Sequence, residues 1–103
     1  MGRQQPESQL TNRIRNLLEH KVGGLWVKIH GSAYQTGGIP DLIGLVHGNF
    51  FGLEVKMPGK EETVTKKQQW FIDQIRQNGG TSAVVTAPKE ALAIVQEVLD
   101  NEP

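Results

Sequence analysis

At 103 residues, 37% hydrophobic and 21% charged, the chain has room for one globular domain (1–103) with a single core, and its composition is not that of a disordered tail. The absence of cysteine excludes disulfide frameworks, thiolate zinc sites and thiol nucleophiles. No apolar run approaches the roughly 20 residues of a membrane span, and Met1–Gln9 lacks the apolar centre of an export signal, so a soluble cytoplasmic protein with no membrane partner is expected. Eleven basic and eleven acidic side chains cancel, but unevenly. Residues 1–40 hold five Lys or Arg against two Glu (net +3), and residues 89–103 hold one Lys against four acids (net −3). A basic body with an acidic end suits phosphate, although a solvated mixture of charges explains the same counts.

From Pro6 to about Val22, Leu10, Ile14, Leu17, Leu18 and Val22 recur at helical spacing, and Pro6 suits a first helical position. Gly23-Gly24 ends this helix, and Leu25–Ile29 alternates as a strand. His30–Pro40, with Gly31, Gly37 and Gly38, reads as an exposed loop. Leu42–Val46 and Phe50–Lys56 are apolar runs on either side of Gly48-Asn49, which predicts an antiparallel hairpin turning on that dipeptide. Met57–Val64 reads as a mobile connection. Thr65, with Gln68 three residues on, has the form of a capping box opening a helix to Asn78, closed by Gly79-Gly80. Ser82–Thr86 is a short strand, and Pro88 starts a last helix with Leu92, Val95, Val98 and Leu99 inward. The order α-β-β-β-α-β-α describes an α/β domain with a mixed sheet of about four strands flanked by helices.

The hairpin carries the chemistry. With Gly48 and Asn49 as the turn, Asp41 pairs with Lys56 and Ile43 with Glu54. Asp41, Glu54 and Lys56 then share one face, while Leu42, Gly44, Val46, Phe51, Leu53 and Val55 form a wholly apolar opposite face. Two carboxylates across neighbouring strands, with the Val55 carbonyl beside them, offer oxygen ligands to a hard ion such as Mg²⁺ or Mn²⁺. Such an ion brings the pKa of a bound water towards neutrality, and Lys56 would orient that water or offset charge growing on a phosphate. The competing view is a plain Asp41–Lys56 ion pair with Glu54 solvated.

The segment GIPDLIGL (Gly38–Leu45), the spacing of thirteen residues from Asp41 to Glu54, and Glu54-Val55-Lys56 resemble the PD-(D/E)XK nuclease signature. Within that superfamily the chain resembles the stand-alone, phage-type VRR-NUC (virus-type replication and repair nuclease) domains over most of its length. The likeness rests on an early helix bearing Glu7, Gly-Ile-Pro-Asp, Glu-Val-Lys, a Thr-Lys-Lys-Gln helix start, and Gly79 eleven residues beyond Gln68. The resemblance implies a restriction-endonuclease-like core and a homodimeric Mg²⁺- or Mn²⁺-dependent DNA endonuclease of DNA repair. It also implies action on branched DNA such as Holliday junctions. Catalytic roles carry over to Asp41, Glu54, Lys56 and Gln68, and metal ligation to Glu7, Asp41, Glu54 and the Val55 carbonyl. Glu7 could instead serve the helix dipole, and Gln68 could be a helix cap alone.

Candidate DNA contacts are Lys28, His30, Ser32, Tyr34 and Gln35 near the Pro-Asp motif, with Lys60, Lys66 and Lys67 beyond the Glu-Val-Lys strand. Ordinary surface polarity accounts for each of these separately. Trp26, Trp70 and Phe71 read as core or interface aromatics before they read as base-stacking platforms, and Glu19, His20 and His47 fall outside the site. A catalytically inactive DNA-binding accessory protein with a nuclease-like fold is the alternative reading, and a sequence-specific restriction enzyme is disfavoured by size.

Overall fold

The computed structural model describes residues 6–30 and 37–102. Helix α1 (Pro6–Lys21) is followed by strands β1 (Leu25–Lys28), β2 (Leu42–Val46) and β3 (Asn49–Val55), helix α2 (Lys66–Gln77), strand β4 (Thr81–Val85) and helix α3 (Pro88–Asp100). The expected mixed α/β architecture is present. The sheet runs β1-β2-β3-β4, with the first two pairings antiparallel and β3–β4 parallel, which the α2 crossover makes sterically feasible.

The apolar face of the hairpin is the core face, as the alternation predicts. Leu42, Val46, Phe51, Leu53 and Val55 are buried there with Leu10, Ile14 and Leu18 of α1 and with Ala91 and Val95 of α3. On α3, Ala91 and Val95 lie deepest, while Leu92, Val98 and Leu99 pack only partly against the core. Trp26 enters the same core because Gly44, its cross-strand partner, leaves room for the indole, whose Nε1 donates to the Gly23 carbonyl at 2.8 Å. Helix α2 covers the other face over β3 and β4, where Ile75 closes on Gly52 and Gly80. Over β1 and β2 no helix among the described residues covers that second face, and Leu25, Val27 and Leu45 are exposed.

The hairpin turn departs from expectation. His47 and Gly48 form it, with φ of 50° and 81°, and Val46 pairs with Asn49. Paired positive φ angles give the backbone twist that suits adjoining antiparallel strands; Gly adopts them freely and His is among the residues enriched there. Asn49 turns its side-chain amide back to the Val46 carbonyl at 3.2 Å. The register therefore slips by two residues: Leu42 pairs with Leu53, not Val55, and one step beyond, Asp41 stands opposite Glu54, not Lys56. An even slip leaves every side chain on its expected face.

Element ends shift slightly as well. Strand β1 stops at Lys28 and β4 begins at Thr81, while Lys56 lies just past β3, its N–H still donating to the Val85 carbonyl at 3.0 Å. The expected mobile connection instead contains a 3₁₀ turn, Glu61–Thr63, closed by the Lys60 N–H on the Met57 carbonyl and by the Thr63 N–H and hydroxyl on the Lys60 carbonyl.

Candidate active site

Asp41 enters the sheet immediately before β2. Its backbone carbonyl accepts the Ile29 N–H at 2.8 Å, and its Oδ2 accepts the Val55 N–H at 2.9 Å, so the main chain is tied beside β1 and the carboxylate is held by β3. Glu54, only 2% exposed, points from β3 to the face that α2 covers. Its Oε2 accepts from Gln68 Nε2 at 3.1 Å and lies 4.0 Å from Lys56 Nζ. Its carboxyl also lies beside that of Asp41. Glu54 Oε1 is buried with no hydrogen-bond partner among the described residues. Val55, between the two, sends its side chain into the core and uses its N–H to hold Asp41.

These contacts set the electrostatics. Burial pushes the Glu54 carboxyl up to about 9; the Asp41 carboxyl adds to the rise, Lys56 opposes it, and Glu7 adds a little more. Glu7 itself is raised, first by burial and then by Asp41, with Lys56 again opposing. Glu7, Asp41, Glu54 and Lys56 therefore act on one another across a single site. Its negative charge exceeds what one lysine offsets, and one buried carboxylate oxygen is unmet.

That arrangement fits a divalent cation. Oxygen donors select a hard ion, and a buried carboxyl holding its proton for want of a counter-charge would exchange the proton for the ion. Asp41 and Glu54 would hold it, with Glu7 near. Among the described residues, no group of three or more His, Asp or Glu side chains is placed to hold a metal ion, so protein carboxylates would supply two close ligands and not three.

Gln68 serves two elements with one amide. Its Oε1 accepts the Thr65 N–H at 2.9 Å while its backbone N–H donates to Thr65 Oγ1 at 3.1 Å, completing the capping box of α2, and its Nε2 reaches Glu54. The expected capping box is formed, and the same side chain also meets Glu54.

Glu7, Ser8, Thr11, Lys28, Ile29, His30 and Asp41 line a cleft of about 270 Å³ beside the carboxylates. Lys28 stands in its wall, but its ammonium is committed to α1, donating to Ser8 Oγ, to the Ser8 carbonyl at 3.4 Å and to Asn12 Oδ1 at 3.3 Å. His30 is exposed at the cleft; Ser32, Tyr34 and Gln35 lie outside the described residues. Lys60, Lys66 and Lys67 are exposed. Trp26 is core, Phe71 half-buried, and Trp70 is exposed, which removes the core half of its core-or-interface reading. His47 pairs with Glu102 at 3.6 Å, away from the carboxylates. Ser8 and Thr11 were not anticipated in the cleft. Thr11, buried and donating to the Glu7 carbonyl at 2.9 Å, lies one helical turn from Glu7, the spacing that would have signalled it.

Fold and site together define a nuclease-like α/β domain. The chain is similar to a solved structure described as "VRR_NUC domain", with a TM-score of 0.65 and 25% identity over 87% of this chain and 94% of that one. No protein-family model matches the sequence, and no curated protein matches it. The fold is that of a VRR_NUC domain.

Proposed function

We propose that this chain is an Mg²⁺- or Mn²⁺-dependent endonuclease that hydrolyses DNA phosphodiester bonds at branched structures such as Holliday junctions, working as a homodimer. The observation that carries the reading is Glu54: buried, flanked by Asp41, Lys56 and Gln68, with one oxygen left unmet. When bound, a divalent ion would supply Lewis acidity towards water and the phosphate. Asp41 and Glu54 would hold the ion, with Glu7 and the Val55 carbonyl as further oxygen donors. Lys56 orients the attacking water or offsets charge on the phosphate, and Gln68 keeps the Glu54 carboxylate aimed. A four-way junction offers two equivalent strands, which a two-fold dimer would match. The exposed aliphatic face of Leu25, Val27 and Leu45 supports a protein partner, because it is uncharged and therefore self-complementary.

The test is a cleavage panel of linear duplex, flaps, forks and four-way junctions in Mg²⁺ and in Mn²⁺. Wild type should cut branched DNA, and Asp41→Asn and Glu54→Gln should lose cutting. Intact substrates under both metals would overturn the reading. Calorimetric Mn²⁺ binding that Asp41→Asn leaves unchanged would instead indicate an inactive DNA-binding module.

A further inference from the structure

Helix α2 turns Gln68, Ile72 and Ile75 towards the sheet. Trp70 stands two residues from both Gln68 and Ile72, roughly 200° around the helix from each, and so faces away from the sheet. Its side chain is 56% exposed, which for an indole is a large apolar surface without a cover. Phe71 meets it at right angles, ring centroids 5.0 Å apart, so the indole is held in place and still accessible. Lys66 and Lys67 lie four and three residues earlier, on the same outer face, both exposed, and no ion pair of either is found among the described residues.

This platform adjoins the carboxylates through two connections. Gln68, in the same helical turn, holds Glu54. On the other side the loop leading to Asp41 abuts Lys67 so closely that a β-carbon on Gly38 would lie 2.7 Å from the Lys67 carbonyl carbon. A strand with one phosphate at Asp41 and Glu54 would pass over Lys67 and Trp70.

We infer that Trp70, flanked by Lys66 and Lys67, is a stacking platform for an unpaired base of a single-stranded segment next to the scissile phosphate. The inference rests on the nuclease reading for its placement, and it narrows the substrate to DNA with unpaired nucleotides beside the cut. Base pairing hides base faces within a duplex, so only an unpaired nucleotide can lay its ring on an exposed indole. The lysines fit its phosphates. A second copy of the chain fits poorly, since a two-fold contact would bring four lysine charges together. Lys60, Lys66 and Lys67 against the exposed Glu61 and Glu62 leave a local excess of one positive charge, so stacking must carry more of the affinity than charge does.

The test uses the full chain in EDTA, which prevents cutting, with a fluorescein-labelled oligothymidine of about 16 nucleotides and a duplex of equal length. Trp70→Ala should weaken oligothymidine binding by about tenfold, Trp70→Phe by no more than about threefold, and neither should change duplex binding comparably. Oligothymidine should quench tryptophan fluorescence in wild type and not in Trp70→Phe, because Trp26 is 4% exposed. The deficit of a Lys66→Ala/Lys67→Ala protein should shrink as salt rises, and that of Trp70→Ala should persist. Unchanged oligothymidine affinity in a folded Trp70→Ala protein would overturn the inference, and so would dissociation of a wild-type dimer into monomers on the same substitution. The two readings fail separately. A protein that cuts nothing yet binds oligothymidine through Trp70 keeps the platform and loses the nuclease; a protein that cuts branched DNA with Trp70→Ala binding normally does the reverse.

Discussion

Replacing Glu54 by Gln should stabilise the metal-free protein while removing its activity. The Glu54 carboxyl sits at about 9 in the folded chain against an ordinary 4.5, chiefly through burial. Its folded value is raised, so its favourable contribution is complete below about pH 4.5 and is lost as pH rises through about 9. Between those limits the folded protein retains a proton that the unfolded chain has released. One retained proton is worth on the order of 1 kcal/mol per pH unit, so stability should fall by a few kcal/mol from about pH 5 to about pH 8. Glu7, raised in the same direction and partly exposed, adds a smaller slope of the same sign. The amide introduced by Glu54→Gln has no titrating proton, and its oxygen can still accept from Gln68. Urea denaturation in EDTA at several pH values, extrapolated to water, measures the difference directly. Glu54→Gln should show a markedly flatter pH dependence and exceed wild type in stability at the alkaline end. Parallel slopes for the two proteins would refute a protonated, buried Glu54, and with it the argument that the site lacks a positive charge.

Three further substitutions separate the roles of neighbouring groups. Thr65→Ala removes the cap hydroxyl of α2 and should cost about 1 kcal/mol in denaturant melts while leaving the cleavage rate of the folded protein near wild type. Gln68→Glu retains a capping side chain but sets a carboxyl against Glu54, so its stability in EDTA should fall more steeply with pH and its single-turnover cleavage should drop well below that of Thr65→Ala. Gly44→Ala would place a methyl carbon 2.2 Å from the ring of Trp26, which its bond to Gly23 holds in place; a loss of roughly 3 kcal/mol, read as a lowered melting temperature, is expected.

Much of this arrangement was legible in the residues, for identifiable reasons. The alternation from Leu42 to Val46 and from Phe51 to Val55 determines which side chains face the core, because a strand has period two. Thr65 and Gln68 announced their capping box because it is local. The pairing within the hairpin was not legible: Gly48 suits a turn with either His47 or Asn49, and only the positive φ at His47 decides between them. Contacts between distant segments were equally hidden. Lys28 read as a free cation near the Pro-Asp motif, whereas the approach of α1 to β1 supplies Ser8 and Asn12 as its acceptors. Trp70 read as core or interface because an indole usually is covered. Its exposure follows from its phase on α2, where Gln68, Ile72 and Ile75 already take the inward positions.

The slip in register bears directly on the chemistry. Had Asp41 stood opposite Lys56, the directly opposed pair across the strands would have been an acid and a base. With Asp41 opposite Glu54, the close pair is two acids, and Lys56 approaches no nearer than 4.0 Å to one oxygen of Glu54. Neither carboxyl can relieve the repulsion by turning away, since the Val55 N–H holds Asp41 and the Gln68 amide holds Glu54. In the metal-free chain a proton on Glu54 is what lowers the cost. A one-residue move of the hairpin turn, with the two-residue slip in pairing that it brings, thus sets two fixed acids directly opposite each other, and their remaining requirement is a cation.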